Sequence, residues 1–275
     1  MRIETFQIPK TKKSSLRFQV DQAPFYDRLH QHREMQISWI VEGSGTLYLT
    51  DGVRPFASND LFVFGSHQPH LLQSESSTAL MNSVFFDKDA LGNSFLQLEA
   101  GQELLHFYAF AKAGLRLSMT HSLKNRFNNL AKGNELIQLG QLFQLLHDIQ
   151  KESFNYLSGE YPVFPTTERE GKRMQAIFDF TLSQYSQSIS LKKVADIAAM
   201  TPPAFCKYFK KRTRKTYFEF LNEIRVNSAC RLLQSKPQLP MTELALQCGF
   251  QSISQFNRVF KKQMGTSPRQ YRSQN

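Results

Sequence analysis

The sequence of 275 residues is short of cysteine, with three, and of tryptophan, with one. Cys206, Cys230 and Cys248 stand 24 and 18 residues apart, a spacing that fits neither a disulfide framework nor a zinc ribbon and points to a reducing compartment. No stretch approaches the ~18 uninterrupted apolar residues of a membrane span. The first ten residues, MRIETFQIPK, carry charges where a secretory leader would be apolar. These absences predict a soluble cytoplasmic protein. Acidic residues are the other shortage: 23 Asp+Glu face 34 Lys+Arg, for a net charge of +11. The shortage is local. Residues 168–275 hold 19 Lys+Arg against 7 Asp+Glu, net +12, while residues 1–167 hold 15 against 16, net −1. A near-neutral half followed by a basic half is expected when one domain touches nucleic-acid phosphate and the other has a different task. A membrane-surface protein would instead concentrate its charge on one amphipathic helix.

What is present suffices for two cores: 41% of residues are hydrophobic and 12% aromatic, and the length predicts about two domains at ~150 residues each. Between residues 20 and 86 the runs QISWIVEG, GTLYLTDG, DLFVFGSHQPH and ALMNSVFF are separated by Gly43, Gly45, Asp51-Gly52 and Asn59-Asp60, the pattern of β-hairpins in a small sandwich or barrel. From about Gly101 the period becomes helical. In NELIQLGQLFQLLHDIQ, Leu136, Leu139, Phe143 and Leu146 form one stripe and Leu142, Leu145 and Ile149 a second. Two stripes want two partners: the protein's own barrel for one, and a second subunit for the other, unless the barrel takes both. Between Asn155 and Thr167, Gly159, Pro162 and Pro165 mark a linker.

The basic half repeats itself. LKKVADIAAMT…FCKYFKK at 191–211 and MTELALQCGFQS…FNRVFKK at 241–262 align Leu191 with Met241, Val194 with Leu244, Ala195 with Ala245, Phe205 with Phe256, Phe209 with Phe260 and Lys210-Lys211 with Lys261-Lys262. The offset is 50, then 51, so one helix-turn-helix unit is used twice with a single extra residue in the second turn. Thr201 before Pro202 predicts an N-cap with proline at the first helical position, and Ser252 with Gln255 a capping box. Ala195 and Ala245 are small where two helices cross, and Gly249 suits the turn of the second unit.

With Phe205, Phe209, Phe256, Val259 and Phe260 at core spacing, the opposite faces of the two second helices are free for DNA. Those faces carry Pro203, Cys206 and Lys207 in the first unit and Ile253, Ser254, Asn257 and Arg258 in the second, followed by Lys210, Lys211, Lys261 and Lys262. Arginine pairs bidentately with guanine and asparagine with adenine, so the second unit has the better base-reading chemistry. The first looks like a phosphate grip, because Lys207, Lys210, Lys211, Arg212, Arg214 and Lys215 are crowded together without an acid before Glu219. The segment TYFEFLNEIRVNSACRLL between the units spans about 27 Å if helical, comparable with the ~34 Å turn of B-DNA.

The run IRVNSACRLL followed by MTELALQCGFQSISQFNRVFKKQMGTSPRQYR resembles the C-terminal signature of the AraC/XylS family of bacterial transcription regulators, a likeness that covers about 105 residues. Ala245, Gly249-Phe250, Ser252, Phe256, Arg258, Phe260-Lys261-Lys262, Gly265, Pro268 and Tyr271-Arg272 carry it. The resemblance implies a two-unit DNA-binding domain, operator binding, and activation through contact with RNA polymerase. Two features depart from the pattern: Pro202-Pro203 opens the first recognition helix, and Arg214 stands where glycine commonly follows it.

In the neutral half, His30-Gln31-His32 before a strand, Gly43 and Gly45 after it, and Pro69-His70 after LFVFG resemble the cupin barrel that many such regulators carry as a sensor. Phe85-Phe86-Asp87 and the following Lys88 to Gly92 resemble the barrel's end, leading into dimerising helices. In metal-binding cupins a glutamate follows the second histidine by four residues. Here that position is Gln36, and Glu34 comes only two residues on. No cofactor is therefore expected, with a divalent metal on His30, His32 and His70 as the alternative. The favoured occupant is a small polar molecule such as a sugar, hydrogen-bonded by His30, His32, Gln36 and His70 and stacked on Trp39. The histidines satisfying one another is the plainer reading. The expected architecture is α+β with two domains: a cupin-like sensing and dimerisation domain at 1–158, a linker at 159–167, and an all-α double helix-turn-helix domain at 168–275. The expected protein is a ligand-controlled, homodimeric DNA-binding activator and not an enzyme. Its alternative is a metal-dependent cupin enzyme that carries a basic domain. A DNA-repair methyltransferase is excluded, because its nucleophile would be an N-terminal cysteine and all three lie beyond residue 200.

Overall fold

A computed structural model of the chain describes residues 16–23, 25–26, 28–74, 76, 78–87, 92–158 and 168–274. The expected linker, 159–167, and residues 88–91 lie outside the described residues. The chain divides into two compact units, residues 1–47 with 56–166, and residues 48–55 with 167–275.

The N-terminal part of the chain carries strands β1 (Leu16–Gln22), β2 (Met35–Glu42), β3 (Ser44–Leu49), β4 (Gly52–Ala57), β5 (Asp60–Phe64), β6 (His70–Ser74) and β7 (Leu80–Phe86), of which residues 48–55 in β3 and β4 fall outside the first unit. Helices α1 (Gly92–Leu96) and α2 (Glu99–Ala111) follow, then β8 (Leu115–Ser118), α3 (His121–Leu130), α4 (Glu135–Lys151) and β9 (Asn155–Tyr156). Six strands pair in the order β1-β7-β2-β5-β8-β9 and three in the order β4-β3-β6. The period-two alternation of β2 sorts its side chains. Met35, Ile37 and Trp39 join Leu61, Val63, Val84 and Phe86 in a core shared with Leu104 and Phe107 of α2, Phe127 of α3 and Leu142, Leu145 and Ile149 of α4. Gln36 and Ser38 point the other way, where Phe62 of β5 meets Phe56 of β4 edge-on with centroids 6.4 Å apart.

Two details differ from the sequence reading. The sheet does not end at Phe86: β8 adds a strand inside the region of helical period, with Leu115 and Leu117 buried between more exposed Arg116 and Ser118. Four residues are too few to register against a helical background. Asn155 and Tyr156, read as the start of the linker, instead pair with Arg116 and Leu115 as the last strand. On α4 the second stripe is buried as expected, but the first is divided. Leu146 is in the core, Leu139 and Phe143 lean on it, and Leu136 and Ile137 are 78% and 50% exposed.

The second unit, apart from residues 48–55, comprises α5 (Glu168–Gln184), α6 (Leu191–Ile197), α7 (Pro202–Thr213), α8 (Tyr217–Ser235), α9 (Met241–Gln247), α10 (Ile253–Met264) and α11 (Pro268–Gln274). The repeat extends to individual backbone bonds. Met200 N–H donates to the Ala195 carbonyl at 3.0 Å, and Phe250 N–H to the Ala245 carbonyl at 2.9 Å. Each is the six-to-one bond that ends a helix with a left-handed residue, which here is Ala199 (φ 51°) in the first turn and Gly249 (φ 83°) in the second. The recognition helices end alike, on left-handed Arg214 (φ 62°) and Gly265 (φ 75°). The Ser252 hydroxyl caps α10 by accepting from Gln255 N–H, whereas Thr201 begins α7 without a side-chain cap, leaving proline to set its start. The reciprocal capping box falls instead on Thr216 and Glu219 at the head of α8. No helix among the described residues is long and apolar enough to cross a membrane.

Candidate nucleic-acid interface and histidine cavity

On α7, Phe205 and Phe209 are fully buried, each meeting the Tyr217 ring edge-on with centroids 5.5 Å apart. On α10, Phe256 and Phe260 are fully buried against Leu244, Ala245 and Phe250. This leaves Pro203, Cys206, Lys207, Lys210 and Lys211 exposed on α7, and Ser254, Asn257, Arg258, Lys261 and Lys262 exposed on α10. Ile253 differs, being half-buried at the edge of the second core. The Thr216 backbone and hydroxyl, which donate to Glu219 at 2.8 and 2.9 Å, hold that carboxylate below its usual range, and the fields of Lys262 and Lys210 lower it further. One acid therefore senses the lysine-rich ends of both helices, so the two basic ends belong to one electrostatic surface.

Sequence reasoning missed Arg225. It is buried in α8 and donates to the carbonyls of Tyr185 and Gln187, each at 2.9 Å, with its guanidinium 5.7 Å from the centre of the Phe250 ring. It ties the end of α5 to the second turn. A charged residue inside an otherwise apolar helix period was the available signal.

In the first unit the structure gathers His30, His32, Gln36 and His70. His30 and His70 form an isolated antiparallel bridge, with N–H to carbonyl bonds of 3.1 and 2.9 Å in the two directions. Phe64 stacks flat on His70 at 4.0 Å, Tyr26 meets His30 edge-on at 4.8 Å, and Phe85 meets His32 at 5.5 Å. Trp39 is not among them. Three residues beyond Gln36 on a strand, it faces the opposite side, buried with Phe127 at 6.0 Å and with the Lys124 ammonium 5.3 Å from its ring centre. The run SWIVE is apolar on both faces, which hid the alternation that decides this.

The ring nitrogens have assigned roles. Each Nδ1 lies against a backbone carbonyl: His30 on Arg28 at 2.9 Å, His32 on Glu34 at 2.7 Å, and His70 on Gln68 at 2.9 Å. A carbonyl only accepts, so each Nδ1 carries the proton. Burial drives all three imidazoles toward the neutral form, His30 to about 4 and His70 well below its ordinary value. Neutral rings protonated at Nδ1 present three Nε2 lone pairs. Gln36 Oε1 stands 2.9 Å from His32 Nε2 and 3.0 Å from His70 Nε2, while its amide nitrogen donates to Ser38 Oγ at 2.7 Å. The Ser38 hydroxyl lies 2.8 Å from that of Ser83. Turned over, the same amide presents NH2 to both Nε2 lone pairs and accepts from Ser38, which satisfies every partner. The cavity beside these groups is lined by Tyr26, Leu72, Met81 and Phe85 among others.

A sequence profile described as the AraC-like ligand binding domain matches residues 14–160, more than half of the chain, and one described as a helix-turn-helix domain matches residues 194–274. The chain belongs to the AraC family. Among curated relatives, the HTH-type transcriptional activator RhaR of Shigella dysenteriae serotype 1 is 24% identical over 264 residues, covering 91% of this chain and 88% of that one, and RhaR of Escherichia coli strain K12 matches to the same extent. Among solved structures, ToxT from Vibrio cholerae is 17% identical over 94% of this chain and 98% of that one, with a TM-score of 0.39, too loose a superposition to argue from. This AraC-family chain is a DNA-binding transcription regulator with a ligand-binding domain, built as a β-rich cupin-like domain followed by a helical helix-turn-helix region, and the relatives named here are regulators rather than enzymes.

Proposed function

We propose that this AraC-family chain is a cytoplasmic, homodimeric transcription activator. In this reading, residues 1–158 sense a small polar effector and dimerise, 159–167 link, and 168–275 bind double-stranded DNA and contact RNA polymerase. The observation that carries it is the same buried pattern used twice, each copy leaving a polar and basic helix face open. The 19 residues of α8 span about 28 Å, which supports entry of α7 and α10 into successive major grooves. Asn257 and Arg258 read bases, Lys210, Lys211, Lys261 and Lys262 hold phosphates, and Pro203, Cys206, Lys207, Ile253 and Ser254 line the approach. Arg258→Ala should cost about 1–3 kcal/mol on the preferred site and relax preference at one base position. Lys210→Ala should weaken all sequences alike and reduce the slope of log K against log salt by about one. Equal, sequence-blind losses for both variants would remove Arg258 from the base-reading set.

The exposed Leu136 and Ile137 support a subunit contact at the start of α4. Because neither is needed inside its own subunit, Leu136→Glu and Ile137→Glu should give monomers with an unchanged melting temperature, since a carboxylate buried in an apolar interface costs several kcal/mol. Intact dimers for both variants in sedimentation would place the contact elsewhere. For the effector, the polar groups His30, His32, Gln36 and His70 support a small polar occupant. With Trp39 turned away, a sugar would have hydrogen-bonding partners but no indole to stack on.

A further inference from the structure

We infer that Arg225 is a positioning residue for DNA recognition: it clasps the chain just past α5 to the second helix-turn-helix unit, and so fixes the spacing between half-sites that α7 and α10 accept; this deepens the regulator reading and rests on it. Helix α5 belongs to the core of the first helix-turn-helix unit. Phe178 meets Phe220 with centroids 4.7 Å apart, Phe220 meets Phe209 of α7 at 5.7 Å, and the Thr181 hydroxyl lies 3.0 Å from that of Tyr217. The chain past α5 then crosses to the other helix-turn-helix unit. The Tyr185 hydroxyl lies 3.0 Å from that of Ser228, the Tyr185 and Gln187 carbonyls accept from Arg225 Nε and Nη2 at 2.9 Å each, and Gln251 Nε2 donates to Ser188 Oγ at 3.4 Å. Ser190 returns the chain to its own side, where its hydroxyl caps α6 by accepting from Lys193 N–H. Residues 185–190 therefore have both ends in the first helix-turn-helix unit and their middle against α8 and the turn that precedes α10.

Covalently, α7 and α9 are joined through α8 alone. Two readers carried on one helix bend and twist with it, and a second attachment removes that freedom. The attachment is close as well as bonded. The Gly249 backbone approaches so near that a Cβ there would lie 2.4 Å from the Tyr185 carbonyl oxygen, and α10 begins at Ile253, just beyond that turn. Arginine suits the task where lysine would not: its planar fork reaches two carbonyls at once while its guanidinium lies 5.7 Å from the centre of the Phe250 ring. A buried charge held in this way adds little net stability after desolvation, and its best-attested use is to fix one arrangement of the elements around it. Rigidly joined readers reinforce each other only on a duplex whose half-sites match their separation. Loosely joined readers accept several separations, each with a lower affinity.

The test uses the full-length protein and, as probe, the duplex it selects from a random pool, with one or two base pairs inserted between the two halves of the motif. Each inserted pair moves the second half-site by about 3.4 Å and turns it by about 35°. The wild-type chain should lose about 100-fold in affinity on the two-pair insertion. Arg225→Met, which keeps an unbranched side chain and drops the fork, should bind the selected duplex about 10-fold more weakly and lose less than about 5-fold on the insertion. Tyr185→Phe, which keeps the ring and drops the bond to Ser228, should fall between the two. Loss of positive charge or of stability alone would weaken every duplex by the same factor. That result in Arg225→Met, an unchanged spacing profile, would overturn the positioning role, as would a wild-type chain indifferent to spacing. If Arg225→Met does not melt cooperatively, Tyr185→Phe decides in the same way: a flattened profile supports the clasp, and a wild-type profile overturns it. The two levels separate cleanly. Enrichment of no motif by the wild-type chain refutes the regulator reading itself, whereas a motif bound with one spacing profile by wild type and variants refutes only the clasp.

Discussion

Gly249→Ala should destabilise the second helix-turn-helix unit by about 2–4 kcal/mol, while the matching change in the first unit, Ala199→Gly, should move stability by less than about 0.5 kcal/mol. Both residues close the same six-to-one turn in left-handed backbone, so the difference lies in their surroundings. A Cβ at Gly249 would sit 2.4 Å from the Tyr185 carbonyl oxygen and 2.9 Å from Ser186 Cα, backbone atoms just past the end of α5. It would also press, at 3.0 Å, on the Arg225 guanidinium that bonds that same carbonyl. Left-handed backbone adds about 1 kcal/mol for a residue with a Cβ, and overpacking supplies the rest. At position 199 an alanine already tolerates the turn. Glycine there relieves the strain and gives back a similar amount in chain entropy. Denaturant unfolding of the two variants decides the matter, and equal losses at both positions would mean that the close approach to Tyr185 is unimportant.

How much of this could be read from the sequence depended on how local the signal was. The repeat and its two buried phenylalanine pairs follow from helical periods that five to twelve residues express fully, and the strands around residues 35–86 from apolar runs set off by turn residues. The charge split alone places the basic helices in residues 168–275. Trp39 was legible in principle, since a strand places residues 36 and 39 on opposite faces, but an apolar run obscured its alternation. Strand β8 and the pairing of Asn155 and Tyr156 were not legible, because a four-residue strand and a two-residue strand draw their stability from partners distant in sequence. The roles of Arg225 and of the three Nδ1–carbonyl bonds are likewise tertiary. The spacing of the histidines brought the right residues to attention, and only the backbone around them fixes which nitrogen carries the proton.

The second large effect concerns DNA itself. If the two basic helix faces read sequence, the full-length protein should prefer its own site over a scrambled duplex by at least about 10³-fold at physiological salt, about 4 kcal/mol or more, whereas a merely polycationic domain would show no preference. The two halves of that preference should be separable. Arg258 and Asn257 on α10 have the more discriminating chemistry, so the half-site they contact should be the better defined. The lysines that end both helices, whose fields meet at Glu219, should contribute affinity without discrimination.

Selection of binding sites from a pool of random duplexes, followed by affinity measurements on the winning and scrambled sequences across a salt series, tests this most directly. The expected result is a two-part motif whose halves are centred about 10 base pairs apart, one turn of the duplex, bound at least about 10³-fold more tightly than the scramble. Recovery of no enriched motif, with every duplex bound alike and released together as salt rises, would contradict the account.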